Sequence, residues 1–260
     1  MKYLKKALKI IFVLFFLLTI IAIIFLVIDV NKTSYLNIKG NSELSKNSFL
    51  ITDINIIPMS KDTILKNKSI LIKDGVIAQI ADSLNINDIE VIDGKNKFIL
   101  PGLIDMHVHV WDKYELGIYL SNGVTAVRNL WGMSMHLRIK EEIKNNELIS
   151  PTFYTTGPKL TGPEFIGDDN LNLTSTKEAK EKIISYKERG YDFIKTYYGL
   201  TEDLYEEILK QAAISNIDIV AHPSQKLPYN YHFKSQIKSI EHAEEIIQQP
   251  LNYKLDTLRL

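Results

Sequence analysis

The first feature of the chain is an uncharged run, residues 10–28 (IIFVLFFLLTIIAIIFLVI), broken only by Thr19. As a helix, these nineteen residues span about 28 Å at 1.5 Å each, close to the ~30 Å hydrocarbon thickness of a bilayer. Residues 31–47 (NKTSYLNIKGNSELSKN) are polar and aperiodic and read as a linker. The pattern then shortens into β-branched runs, SFLITDINIIP, KSILIKDGVIAQI and IEVIDGKNKFIL, separated by KDT, DG and DGK turn signals. Three or more antiparallel strands over residues 48–98 follow, forming a small β-sandwich or β-layer. After Pro101 strand-like and helix-like patterns alternate. GVTAVRNL, PTFYTTGPKL, YDFIKTYYG and IDIVAHPS read as strands. SMHLRIKEEIKNNEL, STKEAKEKIISYKERG and TEDLYEEILKQAAISN read as helices. One of these helices closes at Gly190 and another opens at Thr201, with Glu202 and Asp203 in its first turn. With the strand before His107 and the run IKSIEHAEEI there are six strands, 20–35 residues apart as βα units require.

Charge at the two ends of the apolar run orients it. Lys2, Lys5, Lys6 and Lys9 precede it and stay on the cytoplasmic side, which places residues 31–260 outside the cytoplasm. A cleaved signal peptide has a shorter apolar region and an A-x-A-like site, whereas here Ala22 stands alone among large residues. A single N-terminal membrane helix is therefore expected, with a secreted or periplasmic product after cleavage as the alternative. Composition adds two exclusions. The 31 basic and 31 acidic residues cancel, so nothing attracts nucleic acid. The absence of cysteine removes disulfides, thiolate catalysis and Cys-ligated metal.

The candidate chemistry is carried by histidine and lysine. His107 and His109 stand two apart in PGLIDMHVHVWD, so they project from the same face of a strand. Lys195 in DFIKTYY, His222 in IVAHPS and His242 in SIEHAEE each close an apolar strand near its C-terminal end. In a βα barrel those ends converge on one site. Singly, each has a plain structural reading, as a snorkelling lysine, a turn residue or the start of a helix. Jointly they are a candidate metal centre, because neutral imidazole is a good ligand for Zn²⁺ and similar ions. Asp105 shares the strand parity of His107 and His109 and is either a partner of a ligand or a buried turn-side carboxylate. Arg128 reads as substrate-facing or as half of a surface ion pair, and Tyr197 as pocket lining or packing. His136, on a helix, and His232, in a loop, are assigned no role.

The joint set His107-x-His109, Lys195, His222 and His242 resembles the amidohydrolase superfamily of metal-dependent hydrolases, in its imidazolonepropionase-like and prolidase-like branch. VIDGKNKFILPGLIDMHVH is similar to the passage from that family's β-domain into barrel strand one. IKTYY, AHPS and IEHAEE are similar to its fourth, fifth and sixth strand ends. The resemblance implies an α/β fold with a TIM-type (β/α) barrel. It also implies two divalent ions, Zn²⁺ or else Mn²⁺ or Fe²⁺, with His107 and His109 on the more buried one and His222 and His242 on the other. Lys195 would bridge them as a carbamate after reaction with carbon dioxide, which needs a neutral amine. The implied reaction is hydrolysis of a C–N bond in an amide, a dipeptide or a cyclic amide.

Against that pattern the chain reads as C-terminally incomplete. The family's metal-binding aspartate belongs to strand eight, and about six of eight strands are accounted for by Leu260. The expected organisation is an anchor or signal peptide over 1–30, a linker over 31–47, a β-rich domain over 48–98 and a partial barrel over 99–260. A completing C-terminal polypeptide is the expected partner, beside a small amide or dipeptide substrate. An inactive remnant and a non-enzymatic, membrane-anchored binding module are the alternatives.

Overall fold

The computed structural model describes residues 2–34, 48–164 and 170–243. Helix α1 (Lys2–Thr33) is apolar on every side rather than along one stripe, and its side chains from Leu4 to Val30 are exposed. By length and composition it is able to cross a membrane, with a mean hydropathy of 3.5 in its most apolar stretch. It runs past the expected end at residue 30. Thr33 Oγ1 bonds back to the carbonyls of Asp29 and Val30, and Lys32 faces the negative end of the helix dipole. Those local bonds make residues 31–33 the last turn of the helix instead of linker. The rest of the expected linker, residues 35–47, lies outside the described residues.

Strands β1 (Phe49–Ile56), β2 (Leu65–Lys73), β3 (Val76–Ala81), β4 (Glu90–Asp93) and β5 (Phe98–Ile99) form one sheet in the order β3-β2-β1-β4, with β5 also on β1. The β2–β3 hairpin turns on Asp74 and Gly75, both at positive φ (53° and 76°), which the tight two-residue turn requires. β1 is antiparallel to β2 but parallel to β4 and β5. Ile51, Ile54, Ile56 and Ile70 pack together in one buried cluster, and Leu50 is buried as well, while Val76, Ile77, Ile80, Val91 and Phe98 are exposed. Among the described residues these strands form one sheet, and the expected sandwich is not shown. The strands were legible from their alternation, but alternation does not say whether a second sheet covers them.

From residue 103 the chain builds a parallel βα layer. β6 (Leu103–Val108), α2 (Glu115–Ser121), β7 (Val124–Asn129), α3 (Ser134–Lys144) and β8 (Thr152–Thr155) come first. After them come β9 (Lys159–Thr161), β10 (Asn170–Asn172), α4 (Thr176–Arg189), β11 (Phe193–Thr196) and α5 (Glu202–Ile214). β12 (Asp218–Ala221), α6 (Tyr229–Lys234) and β13 (Ser239–Ile240) complete the series. The parallel orders are β6-β7-β8 and β10-β9-β11-β12-β13, joined by a bridge between Thr156 and Phe193. The strand expected over residues 151–160 is broken in two at Gly157 and Pro158. Gly157 lies against the Tyr186 ring, where a Cβ would come within 2.4 Å, and Pro158 has no N–H to donate. The break lets β8 stay on β7 while β9 crosses to β11. Among the described residues β6 and β13 are not paired with each other, so a closed barrel is not formed.

Alternation along these strands separates packing from chemistry. Val108, Val127, Phe153, Ile194 and Ile219 are buried in the clusters beneath the helices, with Leu116, Ile139, Ile183, Tyr205 and Ile208. His107, Arg128, Lys195 and Val220 are one residue out of phase and point to the other face. α4 is fixed at both ends as its sequence requires. Ser175 Oγ accepts the Glu178 N–H at the start, and Gly190 takes a left-handed conformation (φ 91°) at the close. α5 begins after Thr201 as expected, but the Thr201 hydroxyl bonds the Asp203 carboxylate instead of a backbone N–H.

One close approach holds β7 against the β8–β9 break. A Cβ on Gly132 would fall 1.4 Å from the Thr156 carbonyl oxygen, and backbone cannot yield as a side chain does. Gly132→Ala is expected to cost about 3 kcal/mol, lowering the melting temperature by roughly 6–12 °C. Gly123→Ala meets nothing within 4 Å and carries only the strain of φ 78°, about 1–2 kcal/mol. Thermal denaturation of both variants in detergent checks the order.

Candidate metal centre

The C-terminal ends of β6, β11, β12 and β13 bring the expected residues together. The His107 ring centroid lies 5.5 Å from His109 and 4.8 Å from His242, and His242 lies 4.8 Å from His222. His242 adopts a left-handed backbone (φ 65°), uncommon for a residue with a side chain and frequent at functional sites. Asn129 secures the β6 end: its side-chain oxygen accepts the Val110 N–H at 2.9 Å, and its nitrogen donates to Thr155 Oγ1 at 3.0 Å. Asp105 is half-buried and accepts the His107 backbone N–H at 3.2 Å, so it fixes the strand beside the ligand pair.

Lys195 is the least ordinary member. It is 1% exposed, and its Nζ makes no hydrogen bond among the described residues. Burial pushes its ammonium down to about 7, with Arg128 and Lys159 adding to the shift and Glu241 opposing it. His222 is 3% exposed and is held near 3, first by burial and then by the charges of His242 and Lys195. His109 is lowered to about 4 by the same two kinds of cause, burial before His107. At neutral pH His109 and His222 are therefore neutral imidazoles and Lys195 a substantially neutral amine, the protonation states that metal ligation and carbamate formation need.

The donor set fits a divalent ion in its chemistry. A buried amine without a hydrogen bond beside several imidazoles has no packing purpose. As they stand, no three His, Cys, Asp or Glu side chains among the described residues form a ready coordination group. The five positions surround a common region and are not closed into a ligand sphere.

Other residues line this region. Trp131, 6% exposed, meets His109 at 5.5 Å and Trp111 at 4.4 Å. Tyr197 and Tyr198 lie 4.7 and 4.2 Å from the His222 ring, so Tyr197 lines the site and packs at once. Lys159 is buried with its Nζ 4.6 Å from the Trp131 ring and 4.6 Å from the Tyr197 ring. Arg128 is neither exposed nor half of a surface pair. It is 6% exposed and joined to Glu241 at 2.7 Å in the interior. Glu241 was missed in the sequence, although a carboxylate in SIEH and a guanidinium in TAVRNL, both inside apolar strand runs, implied a buried pair. Burial raises Glu241, but hydrogen bonds from His107 and Ser239 and the cations Lys195 and Arg128 outweigh it and hold the carboxyl near 2. His136 and His232 stand apart as structural residues. His136 accepts the Met133 N–H and bonds the Val110 carbonyl. His232, in helix α6 and not in a loop, bonds Tyr205 Oη and the Ser224 carbonyl.

These shifts set a pH dependence with two windows. His222 is near 3 folded and 6.5 unfolded, so between those values the unfolded chain binds more protons and stability falls as pH drops. Lys195 is near 7 folded against 10.5 unfolded, so stability rises with pH across that window. Each window is expected to carry at least about 1 kcal/mol. Denaturation at pH values from about 4 to 9 checks this, with His222→Asn flattening the acid limb and Lys195→Met the alkaline one.

No protein-family model matches the chain. It is 44% identical over 63 residues to a dihydroorotase of Carboxydothermus hydrogenoformans, covering 24% of this chain and 14% of that protein. It is 31% identical over 84 residues to an N-acetylglucosamine-6-phosphate deacetylase of Lysinibacillus sphaericus, covering 30% and 21%. Its fold matches a Xaa-Pro dipeptidase structure, solved with methionine in the active site, at a TM-score of 0.65. That match has 17% identity and covers 76% of this chain and 62% of the other. The chain thus spans less than two thirds of each of these proteins. With the histidine–lysine constellation at the βα strand ends, these similarities support a relation to the amidohydrolase superfamily.

Proposed function

We propose that this chain is the membrane-anchored, extracytoplasmic part of a metal-dependent hydrolase that cleaves C–N bonds in small amides, dipeptides or cyclic amides, as in the prolidase-like and imidazolonepropionase-like branch. The observation that carries the reading is Lys195, a buried amine held near neutrality among four histidines. A neutral Nζ attacks carbon dioxide, forming an N–C bond and releasing one proton to solvent. The product is a carbamate, a carboxylate-like ligand that a lysine cannot otherwise provide. His107 and His109 would hold one ion, His222 and His242 a second, with the modified Lys195 between them. Zn²⁺ suits these donors, as do Mn²⁺ and Fe²⁺. Such an ion supplies polarisation of a substrate carbonyl and acidification of water at neutral pH.

The chain's own residues contribute around it. Trp131 and Tyr197 form an aromatic wall that excludes water, and Lys159 between them adds positive charge on the substrate side. α1 provides the anchor, with its four leading lysines in the cytoplasm. A completing C-terminal polypeptide belongs to the same reading. Among the described residues β6 is bonded only to β7, and Leu103, Ile104 and Met106 along it are exposed, so it offers a strand edge for pairing.

Metal content by elemental analysis tests the centre. The full chain purified in detergent with Zn²⁺ is expected to retain at least one ion. The double variant His107→Ala, His109→Ala is expected to lose it, and unchanged metal there would overturn the ligand assignment. With ¹³C-bicarbonate, wild type should show a carbamate carbon resonance that Lys195→Ala lacks. Against a panel of small amides, the 260-residue chain should turn over near background. Strands seven and eight supplied as a second polypeptide should raise the rate by about 10²-fold or more, as general acid–base groups typically do.

The anchor has its own test. The full-length chain should fractionate with membranes and resist extraction by high salt. A soluble product beginning between residues 20 and 35 would mean cleavage instead.

A further inference from the structure

Behind His107 lies a polar network that the ligand set does not use. Glu241, at the end of β13, is 6% exposed. Its Oε1 accepts Arg128 Nη2 at 2.7 Å and Ser239 Oγ at 2.5 Å, and its Oε2 lies 2.9 Å from His107 Nδ1. Arg128, from β7, also donates from Nε to the Met106 carbonyl at 2.7 Å and from Nη1 to Ser239 Oγ at 3.1 Å. Its guanidinium therefore reaches the β6 backbone on one side and β13 on the other. The carboxylate, gripped by the guanidinium and a hydroxyl, has little freedom to turn.

An ionised carboxylate accepts hydrogen bonds and cannot donate them. The ring nitrogen facing Oε2 must then carry the proton, which leaves Nε2 of His107 with its lone pair. Metal-binding histidines commonly have the other ring nitrogen fixed in this way, and loss of the partner typically costs 10–100-fold in metal affinity. We infer that Glu241, held by Arg128, is a positioning residue that sets the tautomer and ring orientation of His107 for the metal. The inference rests on the proposed metal function, yet its first readout needs no metal.

Glu241→Gln is the informative change, because it keeps shape and reverses donor sense. If the amide oxygen stays with Arg128 and Ser239, its NH₂ group faces His107 Nδ1, which must then accept. The ring proton moves to Nε2 and blocks the ligand position. In ¹⁵N-histidine-labelled full chain in detergent without metal, long-range ¹H–¹⁵N spectra should show His107 protonated at Nδ1 in wild type and at Nε2 in Glu241→Gln. His107→Asn assigns the resonance. Zn²⁺ affinity, measured by competition with a chromogenic chelator, should fall 10–100-fold in Glu241→Gln, with Glu241→Asp retaining most of it. An Nε2–H tautomer in wild type, or the same tautomer and the same Zn²⁺ affinity in both proteins, would overturn the inference, whatever happens to the melting temperature. If wild type binds no Zn²⁺ while the tautomer still inverts, the metal function falls and the positioning role stands.

Discussion

The arrangement of the candidate site depends on one buried ion pair, Arg128 with Glu241. Two charges withdrawn from water are expensive unless each is satisfied, and here both are: the guanidinium by a carboxylate, a hydroxyl and a backbone carbonyl, the carboxylate by Arg128, Ser239 and His107. The pair ties β6, β7 and β13 together, where among the described residues no strand-to-strand hydrogen bonds join β6 to β13. The same pair lies beside the approach of the His107 and His242 rings, whose centroids are 4.8 Å apart. A hydrophobic substitute could fill the space, but it could not orient an imidazole.

The other governing constraint is the two-residue period of the strands. Ile194 packs beneath α4 and α5 while Lys195 is sealed on the opposite face, one residue away. That division lets one short segment serve both a tightly packed core and a polar centre. It also explains why the amine is shielded from water without being part of the hydrophobic cluster.

Much of this was legible in the residues. The apolar run, the βα rhythm and the helix limits at Ser175, Gly190 and Thr201 follow from periodicity and capping chemistry, which are local. The histidines and Lys195 stood out because each ends an apolar run with a group that burial disfavours. What escaped was non-local. The break at Gly157 depends on a Tyr186 ring nearly thirty residues on. The fate of Arg128 depends on a carboxylate 113 positions away. A sandwich and a single layer share the same alternation, which does not say whether a second sheet is present.

The long separation between partners has a consequence for how the chain comes into being. Glu241 is 134 residues downstream of His107. Synthesis at about 5–20 residues per second leaves roughly 7–27 s between the emergence of the two. Through that interval α1 is already able to seat in a bilayer, and β6 and β7 can pair, with Arg128 still lacking its counter-charge. The His107 ring is thus oriented only once β13 has been made and docked, long after α1 and β6 have emerged.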